Sequence, residues 1–304
     1  MTTATVEVEK PKQAPLTAKD FKGKVDPDWC PGCGDFGVLR SLQEAIAELG
    51  LQPHQVCVVS GIGCSSNIPG FINTYGAHTL HGRALPFATG LKLANHELTV
   101  IAAGGDGDGY GIGGNHLTHL ARRNVDLTYI VMDNQIYGLT TGQCSPTSAK
   151  GMKTKTTPHG NIENPINPIP MAMIAGATYV ARGYTGQPKH LTQLIKGAIQ
   201  HKGFALVDVF SPCVTYNKDN TYQWFNPRVK KLEDLGHDPG DFHKALDRGY
   251  QWGEEIPIGL FWKRDDLPTL EEQEPFLHDG NGPLCTRPLG IAPDVAQSLV
   301  REFM

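Results

Sequence analysis

Leu98-Thr-Val-Ile-Ala-Ala103, followed at once by Gly104-Gly-Asp106-Gly-Asp108-Gly109, is the stretch that decides the fold. Its first half is a short apolar run without clean alternation, as expected of a strand buried on both faces of a parallel sheet. Its second half is too rich in glycine to continue the strand and instead forms a turn that can bring backbone amides close to a ligand. Three more runs of the same kind, residues 56–60, 127–132 and 204–210, each end in an equally unusual motif. These are Gly61-Ile-Gly-Cys64-Ser-Ser66, Asp133-Asn134-Gln-Ile-Tyr137-Gly138 and Ser211-Pro-Cys213. Segments of helical character precede the strands at 38–49, 86–95, 113–123 and 191–201. The alternation predicts an α/β class with a doubly wound, mostly parallel sheet. Ligands of such sheets bind beyond the carboxyl ends of the strands, where these motifs fall.

The flanks read differently. Residues 1–28 are polar, carry Pro11, Pro15 and Pro27, and are expected to form an N-terminal arm. Residues 29–214 make the ligand-binding domain. Within it, residues 140–170 form a Thr-, Asn-, Pro- and Gly-rich loop of a length that is usually functional. Residues 215–304 are charged, aromatic and Pro-rich with little periodicity, which predicts an irregular C-terminal extension that wraps this domain or a partner.

With 27 Lys and Arg against 31 Asp and Glu, the net charge of −4 gives no footing for nucleic acid, and no basic run suggests a membrane surface. No apolar stretch approaches the roughly 20 residues that span a bilayer, and the N-terminus lacks a signal-peptide core. Seven cysteines without such a signal point to a reducing cytoplasm, where thiols serve metals or catalysis.

Four of the cysteines, Cys30, Cys33, Cys64 and Cys213, sit in Gly- or Pro-marked loops, as in Trp29-Cys-Pro-Gly-Cys33-Gly. Four thiolates suit a zinc centre or an iron–sulfur cluster, while ordinary buried thiols are the bland alternative. Cys57 lies in an apolar run as packing; Cys144 and Cys285 have no evident partner. Asp106 and Asn134, at the ends of successive strands, can ligate a divalent cation that shares its shell with phosphate oxygens. A glycine-rich turn opening a helix near Gly113 adds amides for a diphosphate. A rival reading comes from Gly109-Tyr-Gly111-Ile-Gly-Gly114 with Asp133, which fits the dinucleotide fingerprint of a dehydrogenase.

Taken together, these motifs resemble the β subunit of the 2-oxoacid:ferredoxin oxidoreductases, and within them the 2-oxoglutarate group. The resemblance runs from Asp28 to about Asn220. It also draws on His81-Gly-Arg-Ala-Leu-Pro-Phe-Ala-Thr-Gly90 and Gly113-Gly-Asn-His116. It implies a thiamine-diphosphate-binding fold and one 4Fe–4S cluster on Cys30, Cys33, Cys64 and Cys213. It implies Mg²⁺ on Asp106, Asn134 and the carbonyl of Ile136. Ile62, Gly63, Cys64, Ser65, Gly107, Asp108, Gly138 and Leu139 would then hold the diphosphate and thiazolium regions of thiamine diphosphate. His81 becomes a polar contact near the reacting centre, and Cys64 a catalytic bridge between the two cofactors. The implied reaction is CoA-acylating oxidative decarboxylation of a 2-oxoacid, with 2-oxoglutarate favoured over pyruvate, and ferredoxin as electron acceptor. A partner α subunit, or α and γ, would supply the aminopyrimidine contact. The chain departs from the family pattern in two places: Asp133 stands where Asn is commoner, and Thr141 where some archaeal relatives carry Lys.

Overall fold

The computed structural model describes residues 15–288 and 290–303. Eight strands are present among the described residues: β1 (Val56–Ser60), β2 (Tyr75–His78), β3 (Thr99–Gly105), β4 (Leu127–Asp133), β5 (Tyr179–Tyr184), β6 (Phe204–Phe210), β7 (Val229–Lys231) and β8 (Ile256–Lys263). They form one sheet in the order β2-β1-β3-β4-β6-β5-β8-β7. The first six in chain order run parallel to their neighbours. β8 then joins β5 antiparallel and carries β7 parallel to itself.

Helices cover both faces. On one side Asp35–Glu48 and Pro188–Gln200 bury Leu42, Ile46 and Ile195 against Val58, Ile101 and Ile130. On the other, Ala84–Ala94, Gly114–Arg123 and Pro168–Ile174 pack Ala88, Leu117 and Ile169 against Val59, Val131 and Leu206. Full burial of each such Leu, Ile or Val contributes about 1.5–3 kcal/mol, so both layers hold the sheet. The strand order reverses between β1 and β3, and the loops that leave those two strands flank the resulting crevice.

Register puts the strand-end motifs side by side. Gly105 pairs with Met132, which sets Asp106 beside Asp133 and Asn134. Asp133 pairs with Phe210, so Ser211-Pro212-Cys213 leaves the sheet next to Asn134, and Ser211 N donates to Asp133 O at 3.1 Å.

Of the expected N-terminal arm, residues 1–14 lie outside the described residues. Its remainder is anchored: the 3₁₀ turn Ala18–Phe21 delivers Phe21 fully buried into the core, and Gly23 N donates to Phe71 O. The C-terminal extension is irregular only in part. Ile256, Ile258 and Phe261 of β8 are buried, and Phe225 stacks on Phe210 with ring centroids 4.6 Å apart. Apolar side chains hidden among Pro257 and Gly259 thus extend the sheet edge. Past β8 the chain makes short turns and ends in the helix Pro293–Glu302, which buries none of its residues.

Candidate functional site

Two cavities open at the carboxyl ends of β1, β3, β4 and β6. The first, about 290 Å³, is lined by Ile62, Gly63, Cys64 and Ser65 after β1 and by Gly105, Asp106, Gly107 and Asp108 after β3. His81, Asn134, Ile136 and the segment 137–140 complete its wall. The second, about 220 Å³, is lined by Cys30, Cys33, Cys64 and Cys213 together with Trp29, Asn67 and Tyr216. Cys64, Asn134, Gly138 and Leu139 belong to both. The structure therefore gathers all the site residues named from the sequence around two adjoining spaces.

In the first cavity, the turn after β4 is set by Gln135, whose φ of 57° is left-handed. Its N–H donates to Asp133 Oδ1 at 3.1 Å and its carbonyl accepts from Ser148 Oγ at 2.6 Å. This reversal turns both Asn134 and Ile136 toward the cavity opposite Asp106. Asp106 is 2% exposed, and burial pushes its carboxyl up to about 6. Thr147 Oγ1 lies 2.6 Å from Asp106 Oδ2 and 2.8 Å from Asp133 Oδ1. A hydroxyl has one proton, so one of the two carboxyls must supply the other. Burial, and then the Asp106 charge, push Asp133 well above the usual carboxylate range. The cavity thus presents one buried carboxylate, one amide oxygen and one carbonyl, the hard oxygen donors that Mg²⁺ takes with diphosphate.

One glycine of this cavity serves packing. A β-carbon on Gly107 would overlap the Tyr137 ring, and Tyr137 OH donates to Gly107 O at 3.2 Å. Tyr137 and Gln143 pair across a hairpin whose tip holds Thr141 at φ 73°. A β-branched residue there stores about 1–3 kcal/mol of strain. Asp108, expected as a cofactor contact, lines the first cavity while its side chain holds the backbone around it. Its Oδ1 accepts from Ile62 N at 3.0 Å and from Gly82 N at 2.7 Å, and its Oδ2 is buried without a partner. His81 Nε2 stands 3.8 Å from Asp108 Oδ1, beyond hydrogen-bond reach, with 37% of its side chain exposed to the cavity.

In the second cavity the loops that carry the cysteines are pinned to one another. Trp29 Nε1 donates to Cys64 O at 2.6 Å, Gly34 N donates to Pro212 O at 3.2 Å, and Ser211 Oγ donates to Asp35 Oδ1 at 2.6 Å. Burial pushes the Cys64 thiol up to about 11, with further upward pushes from Asp35, Cys213 and Cys30, and it raises Cys33 more. Cys33 and Cys64, partly buried thiols whose proton affinity is raised, need a cation to become thiolates. Among the described residues, no three His, Cys, Asp or Glu side chains converge closely enough to chelate a single ion. A zinc tetrahedron with 2.3 Å bonds needs its sulfurs about 3.8 Å apart. Four cysteines lining one cavity are a donor set that suits a polynuclear iron–sulfur cluster as well as zinc. A β-carbon on Gly138 would sit 3.7 Å from Cys213 Sγ and 3.8 Å from Cys64 Sγ, so the absent side chain leaves the space between these sulfurs free.

The other cysteines stand apart from these four. Cys57 is buried in β1, Cys285 is exposed, and Cys144 Sγ lies 3.3 Å from Thr157 Oγ1. Sequence reasoning missed Thr147, Trp29 as a donor, and the Arg182–Asp208 pair beneath the site. Arg182 Nε and Asp208 Oδ2 are 3.3 Å apart on neighbouring strands, with Tyr110 OH donating to Asp208 Oδ1 at 2.9 Å.

Known families place this geometry in a class. Residues 57–209 match the family described as thiamine pyrophosphate enzyme, C-terminal TPP binding domain. Residues 213–279 match the family described as the C-terminal part of the pyruvate ferredoxin oxidoreductase beta subunit. The domain is therefore a thiamine-diphosphate-binding domain. A 2-oxoacid:ferredoxin oxidoreductase subunit beta of Sulfolobus is 51% identical over 258 residues, covering 81% of this chain and 85% of its own. Subunit beta of 2-oxoacid:ferredoxin oxidoreductase 1 from Aeropyrum pernix is 48% identical, covering 93% and 96%. A solved 2-oxoglutarate:ferredoxin oxidoreductase from Magnetococcus marinus, with 2-oxoglutarate, coenzyme A and succinyl-CoA bound, aligns with a TM-score of 0.86 at 44% identity, covering 95% and 97%. The chain belongs to the β subunits of the 2-oxoacid:ferredoxin oxidoreductases. That membership leaves the dehydrogenase reading of residues 109–114 without support. In the structure these residues run from the turn Gly107–Ile112, in which Gly109 fits under the Tyr129 hydroxyl, into the start of the helix Gly114–Arg123.

Proposed function

We propose that this chain is the β subunit of a CoA-acylating 2-oxoglutarate:ferredoxin oxidoreductase. It would run the oxidative decarboxylation of 2-oxoglutarate to succinyl-CoA, or the reverse reductive carboxylation. The observation that carries this reading is the pair of adjoining cavities with Cys64 in their common wall. Asp106, Asn134 and the Ile136 carbonyl are assigned to Mg²⁺, and Ile62 to Ser65, Gly107, Gly138 and Leu139 to thiamine diphosphate. Cys30, Cys33, Cys64 and Cys213 are assigned to one 4Fe–4S cluster. When bound, thiamine diphosphate supplies the electron sink for decarboxylation, and the cluster carries electrons away one at a time. The chain's own part is to hold both groups across a thin wall, to keep Asp106 in a dry pocket, and to present His81 at the open side.

A relative from Methanocaldococcus jannaschii, named 2-oxoglutarate synthase subunit KorB and 50% identical over 188 residues, supports the choice of substrate. The Sulfolobus and Aeropyrum names favour a second reading, a broad 2-oxoacid range that includes pyruvate. An α subunit, or α and γ, would complete the open side of the first cavity, with the segment from residue 215 packed on it. Ferredoxin would accept the electrons. Among the described residues no helix is long and apolar enough to cross a membrane, which is compatible with the expected cytoplasmic location.

The test is co-expression with the partner subunit and anaerobic viologen reduction on 2-oxoglutarate, pyruvate and branched 2-oxoacids with CoA. A brown enzyme that prefers 2-oxoglutarate is expected. Equal rates on all substrates would leave only the broad reading, and a colourless protein with one zinc per chain would defeat the cluster.

A further inference from the structure

We propose that Asp108 and Trp29 are positioning residues that clamp the 61–64 loop from its two sides and so set the spacing between the two cofactor sites. The inference rests on the reading of those cavities given above and assigns work to residues that touch neither reacting atom. The loop is soft by composition: Gly61 and Gly63 flank Ile62, and Gly63 has a φ of 135°. Cys64 at its end faces both cavities, so slack in the loop would move a wall of each. At its start, Ile62 N donates to Asp108 Oδ1 at 3.0 Å. The same oxygen accepts from Gly82 N at 2.7 Å, which ties the His81 loop to the Cys64 loop.

Asp108 can reach that point only because two neighbours, Gly61 and Gly104, lack side chains, while Gly82 is fitted against Ile112 and Gly113. A β-carbon on Gly61 would overlap the Asp108 carboxylate, and one on Gly104 would lie 2.7 Å from Oδ2. A β-carbon on Gly82 would strike Gly113 N at 2.7 Å. At the far end, Cys64 O accepts from Trp29 Nε1 at 2.6 Å. The indole is itself fixed edge-on by Phe36 and Phe71, with ring centroids 5.3 and 5.0 Å away. One pin stands in the thiamine-side wall and the other in the cysteine-side wall.

A clamp makes each pin felt at the opposite site. The variants, in the holoenzyme co-expressed with its partner, are Asp108→Asn, which keeps the size of the side chain and removes its charge, and Trp29→Phe, which keeps an aromatic ring and removes the indole N–H. Two quantities are measured: the affinity for Mg²⁺–thiamine diphosphate, and the electron paramagnetic resonance spectrum and midpoint potential of the dithionite-reduced cluster. The expected result is that both variants weaken cofactor binding by about three- to tenfold. Both should also shift the cluster's spectrum and potential. Variants that each disturb only the nearer site, or neither site, would overturn the clamp. If Trp29→Phe does not fold, the effect of Asp108→Asn on the cluster spectrum decides alone. Wild-type enzyme that lacks iron or binds no thiamine diphosphate would instead overturn the functional reading, and is measured first.

Discussion

Substituting alanine at Gly61 puts the close packing around Asp108 to a direct test. The new β-carbon would overlap both carboxylate oxygens of Asp108. The carboxylate cannot slide away, because the Gly104 backbone closes the other side, so it must leave its seat. Departure gives up the amide donors of Ile62 and Gly82. Hydrogen bonds to a charged acceptor are worth about 1.5–3 kcal/mol each, which puts the cost at about 3–6 kcal/mol. Against a typical total of about 5–15 kcal/mol that is a severe loss. At about 2–4 °C per kcal/mol for a domain of this size, the melting temperature should fall by about 6–24 °C, measured by circular dichroism on the assembled enzyme. The same Gly61→Ala change placed on an Asp108→Ser background should cost under about 1 kcal/mol, since the clash has gone. A drop below about 3 °C in the single variant, or an equal drop in both backgrounds, would refute the reasoning.

Three further outcomes are expected. Asp106 must lose its proton to act as a cation ligand, and its carboxyl is pushed up to about 6. Mg²⁺–thiamine diphosphate binding should therefore be flat above that pH and weaken about tenfold per unit below it; calorimetry at pH 5, 6 and 7.5 that shows no trend would contradict this. Asp208→Asn leaves the buried Arg182 guanidinium without its counter-charge and should cost about 3–5 kcal/mol, whereas Arg182→Met combined with Asp208→Leu should cost less, as read from thermal melts. Cys213→Ser should strip iron from the enzyme while leaving thiamine diphosphate binding intact; unchanged iron by mass spectrometry would remove Cys213 from the cluster.

Much of this could be read in the sequence, for reasons that also mark its limits. β1, β3, β4 and β6 are continuous apolar runs because both their faces are covered, and their loops carry glycine, acid and cysteine in patterns too specific for packing. β5 went unread because Arg182 interrupts it. A buried arginine is tolerable there only through Asp208 at the paired position of β6, a relation between residues 26 apart in the chain. β8 was hidden by Pro257 and Gly259, and β2 by an edge position that leaves most of it exposed. In the site, residue types announced which atoms could bind, but not which were already engaged. Asp108 has the chemistry of a ligand, and only the three-dimensional arrangement shows that backbone amides have already taken its carboxylate. Thr147 carried no signal at all, since a threonine in a polar loop is ordinary until two carboxyls are found on either side of it.

The residues common to both cavities restrict how this protein can vary. Cys64, Asn134, Gly138 and Leu139 each answer to two chemical demands at once. A substitution there that improved the fit of one guest would be judged a second time by the other, and at Gly138 even a β-carbon would stand in van der Waals contact with two sulfurs. Under the proposed assignments, change in substrate range is steered to the outer rim, to Thr140 and the surface another subunit would bring. An attempt to redesign the enzyme should begin on that rim and leave the partition alone.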